Sequence, residues 1–235
     1  MMTFSFRSFA LTAIIALVFG FGGAAIWSFS GLGNDGTRSY LLEHPELLPE
    51  MAEAYQKKEA QDRLADISDA VKKPFPGAVF GNPNGSVTLV EFTDYACGYC
   101  RMSEEHVAAL VKANPDLKVV IREFPIFEGS DKAALVALAA ADQDKYAEFH
   151  RAMFAKGAPT DAAIAQTAKE VGLDMDKARA FAATPAAQAE LTNNIAMAQR
   201  LGFSGTPSWV IGNQAFEGAV GLSALQNAVD DAKGS

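Results

Sequence analysis

The spacing of apolar positions changes several times along the chain, and each change marks an element. From Phe9 to Phe29 the sequence FALTAIIALVFGFGGAAIWSF is almost wholly apolar, and no charged residue occurs between Arg7 and Asp35. A cleaved export signal has an apolar region of about 7–15 residues, whereas a membrane-spanning helix needs about 20. Residues 1–30 are therefore read as a signal peptide or a signal anchor, with 9–29 long enough for the anchor. The Gly20–Gly23 cluster and the small residues between Ser28 and Gly31 keep cleavage open. Arg7 precedes the run and acidic residues follow it, so the positive-inside rule sends the rest of the chain out of the cytoplasm.

Residues 31–39, GLGNDGTRS, read as a linker. Over 40–71 the pattern turns helical. Leu47, Met51 and Tyr55 share one spacing, and Ala60, Leu64, Ile67 and Val71 another. Pro45 and Pro49 suit helix starts. The apolar stripe is narrow. Such a stripe either packs back on a neighbouring domain or pairs with copies of itself, and periodicity alone leaves both open. Residues 31–74 thus form a linker and a helical arm able to build a homo-oligomer through 40–71.

The stretch 72–85, KKPFPGAVFGNPNG, is rich in Pro, Gly and Asn and reads as a boundary. Residues 75–235 then form the main domain. Val87 to Thr93 is an apolar strand, central by its composition. A helix is expected over Cys100–Asn114, a strand over Leu117–Phe124 and one long Ala-rich helix over Asp131–Lys156. Helices at 160–171, 174–183 and 185–201 follow, so about 131–204 is a helical insertion. Strands at Ser208–Ile211 and Ala215–Gly218 flank a Gly212-Asn213 turn. A last helix is capped near Ser223 and runs to Ala232. This is an α/β order, a βαβ unit and a ββα unit separated by helices.

Composition narrows the chemistry. The net charge is −8 with no basic run, which excludes nucleic acid as a partner because phosphate binding needs clustered cations. The 235 residues hold two cysteines and three histidines, His44, His106 and His150, without ligand spacing. A disulfide scaffold and a structural zinc site are both excluded, and no metal or other cofactor is implied.

The two cysteines are informative by position. Cys97-Gly98-Tyr99-Cys100 follows a strand and opens a helix. A cysteine at a helix N-terminus faces unpaired N–H groups and the positive end of the dipole, which favour thiolate, the attacking species. Cys97 is the expected nucleophile, and Cys100, one turn on, is placed to resolve the mixed disulfide. Gly98 and Tyr99 modulate the thiolate. Glu91, within the apolar strand, is either a proton acceptor for Cys100 or an edge-facing or paired surface Glu. Gly205-Thr206-Pro207 precedes a strand, where a proline is accommodated by a trans start or a cis bond. His106 is assigned no role. Two soft thiolates also suit Cu(I), so a copper-binding envelope protein is the competing reading.

FTDYACGYC after an apolar strand, a helical insertion and the ending GTPSWVIGNQAFEG together resemble the DsbA-like thiol-disulfide oxidoreductases of the bacterial envelope, over roughly residues 75–232. The resemblance implies a thioredoxin fold with an inserted helical subdomain and a redox-active Cys97–Cys100 disulfide. It also implies a cis Pro207 that lines the substrate site with Thr206, and Glu91 at a buried acidic position. Gly-Tyr between the cysteines and Thr before the proline are more similar to the disulfide isomerases and reductases of that compartment. YLLEHPELLPEMAEAYQKK is similar to the arm of copper-resistance-associated DsbA-like proteins. The implied partners are exported cysteine-containing substrates and a membrane redox protein in the periplasm.

Overall fold

Apolar and helix-forming residues near the N-terminus build helices before any strand is laid down. The computed structural model describes residues 6–29 and 32–234, in two compact units, Met1–Tyr55 and Gln56–Ser235. The first unit holds α1 (Phe6–Phe29), α2 (Leu32–Glu43), a single 3-10 turn at Pro45–Leu47 and the start of α3 (Leu48–Ala65). Two expectations change here. Residues 32–39 of the expected linker belong to α2, because Leu41 and Leu42 of that helix share an apolar hollow with Leu47, Leu48 and Met51. A tertiary contact of this kind outweighs the roughly 1 kcal/mol that each glycine costs a helix. The expected anchor finds no support: among the described residues no helix is long and apolar enough to cross a membrane.

The second unit is built on a five-stranded sheet in the order β1-β3-β2-β4-β5. Its strands are β1 (Val79–Gly81), β2 (Val87–Thr93), β3 (Leu117–Glu123), β4 (Ser208–Ile211) and β5 (Gln214–Glu217). β2 and β3 run parallel, with Val87 opposite Leu117 and Thr93 opposite Glu123. The other pairs are antiparallel. β2 occupies the centre of the sheet, which explains its near-continuous apolar sequence. β1 was not expected. Its three residues lie among turn formers and end at Gly81, whose φ is +75° and where a Cβ would meet the Leu117 carbonyl.

Side chains alternate across the sheet, so the two faces bury different sets. One face carries Leu89, Val119, Ile121, Trp209 and Ile211. It is covered by α5 (Gly98–Ala113), by α11 (Leu222–Lys233) and by inserted helices, which add Tyr146, Phe149, Met153 and Phe154. The other face carries Val90, Phe92, Val120 and Val210 beneath Leu64, Ile67, Val71, Ala198, Leu201 and Phe203. The two readings of the arm are therefore divided along its length. Leu64, Ile67 and Val71, from the end of α3 and from α4 (Ser68–Lys72), pack back on the sheet, whereas Leu42, Leu48 and Met51 are exposed. Self-pairing through the whole of 40–71 is thereby corrected, since 64–71 is occupied within its own unit. Arg122 on β3 fastens α4: its guanidinium donates to the Ala70, Val71 and Lys73 carbonyls, to Glu190 and to Asn194.

The insertion contains α6 (Ser130–Ala141), α7 (Tyr146–Lys156), α8 (Asp161–Glu170), α9 (Met175–Ala182) and α10 (Pro185–Leu201). The single helix expected over 131–156 is two. Asp144 takes φ +56°, and the Lys145 N–H turns back to the Ala140 carbonyl, a left-handed stop that redirects the chain. α11 is capped by Gly221 rather than Ser223, which lies inside the helix.

Candidate active site

The helix carrying the two cysteines is held at its first turn by polar contacts. Cys97 is the N-cap of α5, and its Sγ accepts from the Cys100 N–H at 3.3 Å. A side chain there satisfies one of the orphan donors of a helix start. Asp94, buried at the end of β2, fixes the approach. Its carboxylate accepts from the N–H groups of Ala96, Ile126 and Phe127 and from the Ser130 hydroxyl. The turn before Cys97 is thereby tied to the loop after β3.

The two sulfurs meet opposite environments. The hydrogen bond from the Cys100 side chain, helped by Thr206 and by the N–H groups of Cys100 and Tyr99, lowers the Cys97 thiol to about 5 against the opposing effect of burial. Cys97 is therefore ionised at neutral pH. Burial pushes the Cys100 thiol far up; the partnership with Cys97 and the charge of Glu91 act in the same direction. Cys97 keeps 4% of its surface and Cys100 none, so Cys97 is the sulfur a macromolecule can reach.

Glu91 is fully buried on the face beneath the pair, and neither of its oxygens has a hydrogen-bond partner. It is not at a sheet edge: it lies on the central strand, between Ile121 and Trp209. Desolvation, then the charges of Glu104, Glu123 and Cys97, raise its carboxyl well above the ordinary range. Raised in this way, the carboxyl binds a proton more tightly than a solvated glutamate does.

Across from the cysteines, the Thr206–Pro207 bond is cis. The Cys97 thiol donates to the Thr206 carbonyl at 3.2 Å. Thr206 Oγ1 is buried without a hydrogen-bond partner, and a hydroxyl there can turn its proton to the ionised sulfur. Glu217 of β5 holds this loop by accepting from the Ser204 and Gly205 N–H groups, and Ser208 Oγ donates to the Gly205 carbonyl. Gly98 opens onto free space and Tyr99 is 63% exposed beside the pair. The fold thus brings Cys97, Cys100, Glu91, Thr206 and Pro207 to one place. His106 stays outside it.

Sequence reasoning missed Asp94 and Glu217, which act by holding backbone, and it missed a buried polar cluster behind Glu91. There Glu123 accepts from the hydroxyls of Tyr95 (3.1 Å) and Tyr146 (2.7 Å). The Tyr95 oxygen also meets His150 Nδ1 at 2.9 Å, and His150 Nε2 meets Glu104 at 3.0 Å. The available signal was an acid, Glu123, at the end of a strand with an apolar centre, an anomaly akin to the one that singled out Glu91. Among the described residues, no group of three or more His, Cys, Asp or Glu side chains could hold a metal ion.

The sequence profile of the DSBA-like thioredoxin domain matches residues 88–230. The chain belongs to that family. A profile of the copper resistance protein ScsC N-terminal domain matches 38–62, within the arm. A thioredoxin-like oxidoreductase of Silicibacter pomeroyi is 44% identical, covering 68% of this chain and 94% of its own, with a TM-score of 0.65. The thiol-disulfide exchange protein alpha-DsbA2 of Wolbachia pipientis is 29% identical over 73% of this chain and 95% of its own, with a TM-score of 0.66. The catalytic domain of Proteus mirabilis ScsC is 26% identical over 74% of this chain and 99% of its own, also with a TM-score of 0.66. Among curated proteins, a Na(+)/H(+) antiporter NhaA 1 of Salinispora arenicola is 28% identical over 158 residues, 66% of this chain. The chain spans about a quarter of that relative's length, 24%.

Proposed function

We propose that this DsbA-like protein exchanges disulfides in exported, cysteine-containing proteins of the bacterial envelope. The observation that carries the reading is the opposite ionisation of two sulfurs one helical turn apart: Cys97 lowered to about 5, Cys100 held as a thiol by burial. An ionised, reachable Cys97 attacks a substrate disulfide and forms a mixed disulfide. Cys100 then gives its proton to Glu91 in its ionised form and displaces the substrate thiolate, closing the Cys97–Cys100 disulfide. Thr206, cis Pro207, Gly98 and Tyr99 line the substrate side, and a membrane redox protein returns the pair to its working state. Copper capture by the same two sulfurs would have to ionise Cys100 against its burial, and the geometry favours exchange.

Within this chemistry, rearrangement of wrong disulfides is favoured over simple oxidation. Threonine precedes the cis proline, and the exposed apolar residues Leu42, Leu48 and Met51 offer a face through which copies of the chain assemble. Assembly would set several sites around one substrate. The test is the reduction potential of the cysteine pair against glutathione, with recovery of scrambled ribonuclease and molar mass in the same buffer. An isomerase refolds ribonuclease at a potential below the roughly −120 mV of a strong oxidant. A potential near that value with poor recovery would make the protein an oxidase. Loss of all exchange in Cys97→Ser is required by either direction.

A further inference from the structure

Behind the cysteine pair lies a set of buried ionisable side chains that the exchange steps above do not use. Glu123, Tyr95, Tyr146 and His150 are all buried, and burying such groups is costly unless they are bonded or used. Their hydrogen bonds run in one continuous line. Glu104 Oε1 meets His150 Nε2 at 3.0 Å, His150 Nδ1 meets the Tyr95 hydroxyl at 2.9 Å, and Tyr95 meets Glu123 Oε1 at 3.1 Å. One end is open to water, since the Glu104 side chain is 18% exposed and lines a surface cavity with Arg101, Glu105 and Arg151. The other end reaches the face beneath Cys100. Glu123 stands opposite Thr93 on β2, two residues from Glu91. Glu123 Oε2, Thr93 Oγ1 and both Glu91 oxygens are buried with no hydrogen-bond partner.

We infer that Glu104, His150, Tyr95 and Glu123 form a proton route between solvent and the buried acid beneath the cysteine pair, with Tyr95 as its positioning link. The inference rests on the exchange reading above. When Cys100 resolves a mixed disulfide, its S–H bond breaks and the proton goes to Glu91. Its sulfur bonds to Cys97, and the Cys97–substrate S–S bond breaks to release a thiolate. The proton on Glu91 then has to leave. It moves to Glu123. With the Tyr95 hydroxyl turned from Glu123 to His150, the Glu123 proton passes to the Tyr95 oxygen as the Tyr95 proton passes to His150 Nδ1, and the Nε2 proton passes to the Glu104 carboxylate. Each atom along the line ends with its valence filled, and one proton has crossed to the surface. The Glu123 carboxyl, raised to about 8 chiefly by burial, exchanges a proton near neutral pH, as such a station must. Asp94 and Glu104 add to that rise, while the two tyrosine hydroxyls oppose it. Arg151 on α7 lies over the Phe80 ring, at the mouth rather than within the line.

Tyr146 supplies the control. It donates to the same Glu123 oxygen as Tyr95 and sits in hydrogen-bond reach of the Tyr95 hydroxyl, but it reaches His150 only through Tyr95. Tyr95→Phe and Tyr146→Phe each remove one hydroxyl from one carboxylate; only the first cuts the route. The experiment mixes the reduced full-length protein with a fluorescent peptide disulfide and follows both phases from pH 5 to 9. The first phase is attack by Cys97, and the second is release by Cys100. Tyr95→Phe is expected to slow the second phase roughly tenfold, flatten its pH profile and spare the first, while Tyr146→Phe stays within about twofold of the parent. Should Tyr95→Phe not fold, Glu104→Gln closes the solvent end and is expected to slow the same phase. Equal second phases in parent, Tyr95→Phe and Glu104→Gln, or equal slowing by the two tyrosine variants, would overturn the route. Absence of the first phase in the parent would instead overturn the exchange reading.

Discussion

A sulfur at the first turn of α5 and a sulfur one turn deeper are the same chemical group made unlike by surroundings. Cys97 gains hydrogen bonds in its ionised form; Cys100 loses solvent. Alkylation of reduced protein should therefore follow a single ionisation with a midpoint near 5, read from the rate against pH or from thiolate absorbance. A midpoint near that of free cysteine would show that the cap contacts do not hold the thiolate. Glu91 carries the opposite expectation for stability. Its carboxyl is raised by desolvation and by neighbouring acids, so the native state binds its proton more tightly than the unfolded chain does, and its charged form costs stability. Glu91→Gln keeps the shape and removes this penalty. It should unfold at higher denaturant than the parent at pH 7 while slowing release by Cys100, and an unchanged midpoint would contradict a buried, unpaired acid.

At the scale of elements, the arm divides into a part that is core and a part that is surface. Leu64 is 2% exposed and lies in the cluster beneath the sheet. Leu64→Ala should cost about 2–5 kcal/mol in equilibrium unfolding, the range for a buried leucine that leaves a cavity. Met51→Ala removes an exposed side chain and should change stability by less than about 0.5 kcal/mol, and any change in molar mass would mark assembly through that face. Arg122 joins three elements, because its guanidinium on β3 serves carbonyls within α4 while pairing with Glu190 on α10. Arg122→Met leaves Glu190 and several carbonyls unpaired and should destabilise by about 3–5 kcal/mol, the cost of breaking a buried pair.

For the whole molecule, Glu123 and Cys97 make pH act on stability with opposite signs. Glu123 has a folded value near 8 against 4.5 in the unfolded chain, so between these values the native state binds the extra proton. Stability from this carboxyl is full below 4.5 and is lost as pH rises through about 8. Cys97 works the other way, its lowered value adding stability to the reduced form as pH rises above about 5. The oxidised protein has no thiol to titrate. It should lose stability between pH 5 and 8 more steeply than the reduced form, and Glu123→Gln should flatten that slope in thermal unfolding. Equal slopes in both redox states would mean that Cys97 is not ionised in the native state.

Local signals were enough for the central strands, for α5 and for the cysteine pair. An apolar run, a CxxC spacing and a helix start are written in consecutive residues, and their physics is short-ranged. The helices at 160–171, 174–183 and 185–201 were legible for the same reason, with α8, α9 and α10 capped by Thr160, Asp174 and Thr184. What depended on distant residues was not legible. β1 is a strand because β3 lies beside it, α2 is helical because Leu41 and Leu42 find an apolar partner, and the stop at Asp144 needs a left-handed residue that composition does not announce. The two readings of Glu91 and of the arm differ only in burial. Burial belongs to the packed chain, since it depends on which surfaces 109 residues apart, such as Cys97 and Thr206, are brought to 3.2 Å.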